Sequence, residues 1–190
     1  QKKRLRHTQR IKSSVANLTS ILNDFLSLSR LEEGKLNLSR SEFELPSVWT
    51  EVQEGVQGLL KKEQTLTISG LGQIPTLYTD RRILQNIFYN LLSNAIKYSG
   101  EGQPIECRVF ASNGNLKIEI QDHGIGIPKS EQQYLFTRFF RAHNVENIQG
   151  TGLGLNIVKG YIELLDGDIS FESSPEKGST FRVEIPLKPD

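Results

Sequence analysis

Four polar side chains fall in register near the middle of this chain. Asn90, Asn94, Lys97 and Tyr98 are spaced i, i+4, i+7 and i+8, so they form a ridge along one helix. The remaining positions Ile83, Leu84, Ile87, Phe88, Leu91, Leu92, Ala95 and Ile96 repeat with the period of a buried helical face. Neutral amide oxygens suit Mg²⁺ that keeps waters and shares phosphate oxygens. An ammonium is a point charge for a phosphate, and a phenol stacks or hydrogen-bonds beside a ring. One such Asn alone reads as a cap or a bridge between elements. The four together read as a metal–phosphate site, with Asn90 and Asn94 as the candidate metal ligands.

Two glycine motifs follow. Asp122-His-Gly124-Ile-Gly126 ends a strand pattern. Glycines there let backbone approach a flat ligand, and an ionised Asp accepts from an exocyclic amine such as adenine N6. The same residues also serve as an ordinary strand-ending turn. Gly150-Thr-Gly-Leu-Gly-Leu155 precedes a helix pattern, and helix N-termini bind phosphate through free N–H groups and the dipole. It is no P-loop, because no Gly-Lys-Ser/Thr follows. No strand leads into it, which argues against a dinucleotide fingerprint.

Between the motifs, Phe136, Phe139 and Phe140 alternate with Arg138 and Arg141. This segment reads either as a packed loop or as a lid whose arginine approaches a terminal phosphate. His7 has no acidic neighbour after it and reads as part of a solvated helix face; His123 is positional, and His143 falls in the lid segment.

The elements that must carry these groups are legible in outline. Residues 1–33 form one helix with an apolar seam at Ile11, Val15, Leu18, Leu22 and Phe25, widened by Ile21, Leu28 and Leu31, and closed by Gly34. No helix of similar length accompanies it, so its stripe calls for another chain or segment. Residues 35–45 become a strand; a helix runs over 46–63; Thr65–Ser69 is a strand; 70–79 is a loop; and Asp80 caps the central helix over 80–98. Strands 105–111 and 116–121 join through Asn113-Gly114. A short helix lies near 130–135 and a longer one over 152–165, with Leu155, Val158, Ile162 and Leu165 on one face. A final hairpin pairs 168–173 with 179–187. Three helices over one face of a mostly antiparallel sheet make an α+β fold, a two-layer α/β sandwich preceded by one long helix.

Composition excludes several classes. The 190 residues carry 36% hydrophobic and 24% charged side chains with net charge +1, so neither nucleic acid nor a membrane surface is an expected partner. Cys107 is the single cysteine, which rules out an internal disulfide framework and fits a reducing, cytoplasmic compartment. No apolar run is long enough to span a bilayer. With no Met and a start inside a helix pattern, the chain reads as a piece of a longer protein, and any membrane anchor belongs to that parent.

In order and spacing, these residues resemble the sensor histidine kinases of two-component systems. Asn90–Lys97 looks like the N box, Asp122–Gly126 the G1 box, Phe136–Arg141 the F box and Gly150–Leu155 the G2 box. Gly178-Ser-Thr-Phe181 resembles the family's closing strand. The resemblance covers essentially the whole chain. It implies a Bergerat-type ATP-binding catalytic domain over residues 41–190 and, over residues 1–40, the second helix of the dimerisation and phosphotransfer domain with its linker. ATP and Mg²⁺ are then the implied cofactors. Asp122 would bind adenine; Asn94 and Asn90 would hold Mg²⁺; Lys97, Tyr98 and Arg141 would meet the nucleotide. Gly124, Gly126, Ile127, Phe139, Thr151, Leu153 and Leu155 would line the nucleotide site, and Gly150, Gly152 and Gly154 would shape the lid's phosphate contacts.

The resemblance also implies a homodimer through helix 1–33 and a response-regulator receiver domain as partner. One departure matters, and a second observation separates kinase from hydrolase. The family's acceptor motif, His-Glu/Asp-x-x-x-Pro, is absent from the sequence, so the acceptor histidine is expected on a first dimerisation helix outside it, and this chain is not expected to autophosphorylate. Related ATPases place a water-activating Glu one turn before the metal-binding Asn. Here that position is Asn90, which cannot act as a general base. Phosphoryl transfer to an imidazole needs no such base. A superfamily ATPase and a degenerate, nucleotide-binding dimeric scaffold remain the alternatives.

Overall fold

A computed structural model describes residues 2–34, 36–74 and 76–187. The chain divides into two compact units, Gln1–Asn37 and Leu38–Asp190. The first is essentially one helix, α1 (Lys2–Glu32), 31 residues long and therefore about 46 Å from end to end. Val15, Leu18, Ile21, Leu22, Phe25 and Leu26 are all exposed on it. The side chains of His7 and Ile11 lie outside the described residues.

The second unit runs β1 (Arg40–Glu44), α2 (Leu45–Gln57), β2 (Thr65–Ser69), β3 (Thr76–Asp80), α3 (Arg81–Tyr98), β4 (Pro104–Ser112), β5 (Asn115–Asp122), α4 (Gly154–Leu164), β6 (Asp168–Ser174) and β7 (Gly178–Pro186). Five strands make one sheet in the order β2-β4-β5-β7-β6, while β1 and β3 form a separate antiparallel pair. Only the β2–β4 pairing in the main sheet is parallel. α3 packs between α2 and α4 and against β5.

All eight apolar positions read from the α3 pattern are buried. They meet an inner sheet face of Ile105, Cys107, Val109, Leu116, Ile118, Ile120, Val183 and Ile185, the product of strict alternation along each strand. Trp49 of α2 contacts Phe88 of α3 edge-on, with ring centroids 6.2 Å apart. The outer sheet face is polar. Arg108, Glu119, Arg182 and Glu172 form a chain of ion pairs across β4, β5, β7 and β6 at 3.6, 3.5 and 2.9 Å.

Two elements differ from the sequence-based expectation. The helix expected over 46–63 stops at Gln57, with Gly58 as its C-cap. Leu59, which extends the apolar pattern, is exposed. The loop expected over 70–79 contains a 3₁₀ turn at Leu71–Gln73 and the strand β3. β3 leads directly into α3 and pairs with β1, a segment more than 30 positions upstream.

Asp80 joins these pieces. Its Oδ1 accepts from the N–H groups of Arg82 and Ile83 at 3.0 and 3.2 Å, and its Oδ2 accepts from the N–H of Ser39 at 2.7 Å. One carboxylate therefore caps α3 and ties down the chain ahead of β1. Burial pushes its pKa up, but the hydrogen bonds from Ser39, Ile83 and Arg82 outweigh that and hold it below the ordinary 3.8. A depressed folded pKa adds stability that is complete above the unfolded value and lost as pH falls through the folded one. Asp80→Ala should cost about 2 kcal/mol at neutral pH. In urea melts over a pH series, the gap between wild type and variant should hold above about pH 5 and shrink below about pH 4.

Candidate functional site

The α3 ridge falls on one helix as expected, and one of its two amides is oriented. Asn90 Nδ2 donates to the Asn86 carbonyl at 3.0 Å, which leaves Oδ1 as its outward atom. A Cβ on Gly154 would stand 2.9 Å from that oxygen, so the first turn of α4 lies directly against Asn90. The half-buried carboxamide of Asn94 has no hydrogen-bond partner among the described residues. Lys97 Nζ lies 4.8 Å from the centre of the Tyr98 ring and occupies the space that a Cβ on Gly150 would take. Among the described residues it has no carboxylate partner. A half-buried cation against a glycine loop, next to two amide oxygens, is a complementary surface for metal-bound phosphates.

Asp122 closes the other end. It is buried at the end of β5, and Oδ1 accepts from the Gly124 N–H at 2.8 Å. Burial raises its pKa, opposed by hydrogen bonds from the Gly124 and Ser179 backbone. Ile125 N–H donates to the Tyr98 carbonyl at 3.3 Å, which fastens this loop to the end of α3. Ser173, which carried no signal in the sequence, receives the Ile127 N–H at its hydroxyl, 2.9 Å away. The same hydroxyl contacts Ser179 Oγ at 2.9 Å.

The glycines of this loop serve the protein's own backbone. A side chain at Gly124 would strike the Tyr98 carbonyl, and one at Gly126 (φ +63°) the Ser174 carbonyl. The expected close approach to a flat ligand is thus joined by close approach to α3 and to the β6–β7 turn.

The 129–152 segment is held by side chains rather than by regular structure. It has 3₁₀ turns at Gln132–Tyr134 and His143–Val145, the first in place of the short helix expected near 130–135. Phe136 packs edge-on against Phe171 at 5.8 Å, and Tyr134 lies tilted against Phe140 at 5.7 Å. Arg141 donates to the carbonyls of Val145 and Glu146 at 2.8 and 3.2 Å and to that of Ile148. Its guanidinium braces the loop. The Glu131 carboxylate accepts from the His143 N–H at 3.1 Å and contacts its ring; that hydrogen-bonding pulls the Glu131 pKa down.

Phe139 is 66% exposed and has φ +60°, a conformation that costs a non-glycine residue energy. Gly152 (φ +71°) lies against it: a Cβ there would sit 2.7 Å from the Phe139 carbonyl carbon. Leu153 N–H donates to Thr151 Oγ1 at 3.2 Å, and Leu153 is buried. Leu155 is half-buried; the buried face of α4 is Ile157, Val158, Tyr161 and Ile162.

No group of three or more His, Cys, Asp or Glu side chains arranged for a metal occurs among the described residues. A cation here would therefore rest on the two amides and on its ligand's phosphates. A polar groove of about 440 Å³ lies on the opposite sheet face, lined by Arg108, Glu119, Glu172 and Arg182 among others. Those four charges pair with one another.

The family described as histidine kinase-, DNA gyrase B- and HSP90-like ATPase matches residues 79–189. The chain belongs to this family. Its relatives include the signal transduction histidine-protein kinase BarA of Escherichia coli, 39% identical over 190 residues, 95% of this chain and 21% of that protein. The autoinducer 2 sensor kinase/phosphatase LuxQ of Vibrio vulnificus is 33% identical over 186 residues, 93% of this chain and 22% of that protein. Among solved structures, the Acinetobacter baumannii histidine kinase AdeS matches with TM-score 0.76 and 25% identity, over 95% of this chain and 84% of that chain. ShkA, solved in complex with AMPPNP, shares the fold at TM-score 0.75 and 24% identity, over 91% of this chain and 36% of that chain.

The chain thus spans about a fifth of the curated relatives' length, and it is homologous to the ATP-binding catalytic domain of sensor histidine kinases. No described helix is long and apolar enough to cross a membrane. Within this histidine kinase-like domain, Gly126→Ala should lower stability by at least about 2 kcal/mol even without nucleotide, as read from thermal melts. Gly154→Ala, which presses only on the Asn90 side chain, should fold with a loss of under about 1 kcal/mol.

Proposed function

We propose that this chain binds Mg·ATP between α3 and the 129–152 lid and serves as the catalytic region of a sensor histidine kinase. The reading rests chiefly on the convergence of Asn90, Lys97 and the Gly150–Gly154 loop at one end of the site, with buried Asp122 at the other. The neighbour ShkA, solved with AMPPNP, supports the same ligand class. Asp122 accepts from the adenine amine, with Ile127 and Tyr98 beside the base and Phe139 at the lid. Asn94 and Asn90 would hold Mg²⁺, which would supply charge neutralisation at the phosphates. Lys97 adds a fixed positive charge, and N–H groups of the 150–155 loop receive phosphate oxygens. Arg141 acts by holding the lid's shape.

In the transfer, an acceptor imidazole nitrogen bonds to the γ-phosphorus as the bond to the bridging oxygen breaks. ADP leaves with that electron pair, and the imidazole proton goes to solvent. The acceptor is proposed to lie outside the 190 residues, since none of His7, His123 or His143 carries the acceptor motif. No group at position 90 activates water, so transfer is favoured over hydrolysis. A receiver domain would take the phosphoryl group onward. The exposed stripe of α1 is proposed to pair with a second copy.

Asp122→Ala should weaken Mg·ATP binding roughly 10- to 100-fold by titration calorimetry; equal affinity would overturn the assignment. Because burial raises the Asp122 pKa above 3.8 and the ionised form is the acceptor, wild-type affinity should fall on acidification sooner than for an ordinary Asp. For the same reason, ionising Asp122 as pH rises costs folding stability. Sustained ATP turnover without a histidine acceptor, abolished by Asn90→Ala, would favour an ATPase instead. Sedimentation should show self-association that weakens on Phe25→Ser.

A further inference from the structure

The last turn of α3 is finished by side chains from the segment between α2 and β2. Lys61 Nζ donates to the Lys97 carbonyl at 2.8 Å and also to the Ser99 carbonyl. Gln64 Nε2 reaches the Ile96 carbonyl at 3.2 Å, that of Ser99 at 3.4 Å and that of Gly100 at 2.8 Å. Gln64 is itself buried and oriented, because its Oε1 accepts from the Lys61 N–H at 2.8 Å. The Ala95 carbonyl receives the Ser99 N–H, and the Tyr98 carbonyl the Ile125 N–H. Every carbonyl from 95 to 100 therefore has a donor. This satisfies the groups that a helix end leaves orphaned, and the Lys61 cation complements the negative end of the helix dipole.

A cap of this kind normally stabilises a helix and nothing more. Here the capped carbonyls of Lys97 and Ser99 flank Tyr98, and the side chains of Lys97 and Tyr98 both reach Gly150 of the 150–155 loop. The carbonyl between the two capped positions is the one that anchors the Asp122–Gly126 loop through Ile125. One clamp thus sets the relative placement of the phosphate-side cation and the base-side carboxylate.

We propose that Lys61 and Gln64 are positioning residues for the nucleotide site, acting through the backbone of Lys97–Gly100. This rests on the Mg·ATP reading above. Lys61→Met removes the charge and keeps the chain length, Gln64→Leu removes the buried amide, and Lys61→Arg retains a cationic donor. Val56→Ala, buried in α2, is the control for lost stability alone.

Two readouts separate positioning from simple capping. Hydrogen exchange at the Ile125 amide in nucleotide-free protein should quicken about tenfold in Lys61→Met beyond the change in Val56→Ala. Mg·ATP affinity, measured well below the melting transitions, should fall about tenfold in Lys61→Met and recover in Lys61→Arg. Unchanged Ile125 exchange together with wild-type affinity would overturn the proposal. Should Lys61→Met not fold, Gln64→Leu carries the same two measurements. If wild type binds no Mg·ATP, the nucleotide reading fails, while the Ile125 exchange still decides whether the clamp governs the loop.

Discussion

The apolar face of α3 removes eight side chains from water against the sheet and its flanking helices, and that burial drives the helix into place. Burial alone leaves freedom to slide and rotate by fractions of a turn, because apolar contacts are not directional. Direction comes from the polar groups at the ends. Asp80 fixes the start through three N–H groups, and the Lys61–Gln64 pair fixes the finish through the carbonyls. Chemistry that needs sub-ångström placement of two amides and an ammonium is thus mounted on a helix held by directional bonds at both ends.

Much of this was legible in the sequence, and the reasons differ by element. α3 was readable because apolar period, N-cap and polar ridge all agreed. The β4–β5 hairpin was readable because Asn113-Gly114 is a local signal. β3 was not: it is five residues long, follows a glycine-rich stretch, and finds its partner β1 far upstream, so its pairing leaves no local trace. α2 ran short because Leu59 continued the apolar count while Gly58 ended the helix. Lys61, Gln64 and Ser173 were invisible as site residues because each acts through another segment's backbone. The glycines of the Asp122–Gly126 motif have a second task that spacing does not show. Gly124 and Gly126 press on Tyr98 and Ser174 of this same chain.

Two buried aspartates show how environment outranks residue type. Asp80 and Asp122 are both shielded from water. Burial pushes both pKa values up; hydrogen bonds from Ser39, Ile83 and Arg82 reverse the balance at Asp80, whereas those reaching Asp122 do not. The first carboxylate is satisfied by its own chain and stabilises the fold. The second remains short of partners, at some cost to the fold, and so keeps an appetite for a donor that arrives from outside.

The packing of the glycines bears on how lineages of such proteins can be read. A descendant that abandoned nucleotide chemistry would still need glycine at 126 and 152, where positive φ and a neighbouring backbone forbid a side chain. Purifying selection for foldability alone would preserve much of the two glycine motifs. Their survival in a genome is therefore a poor diagnostic of a living catalyst. Loss of Asn94 or Lys97, whose side chains the fold does not require for its hydrogen bonds, would be the earlier mark of decay.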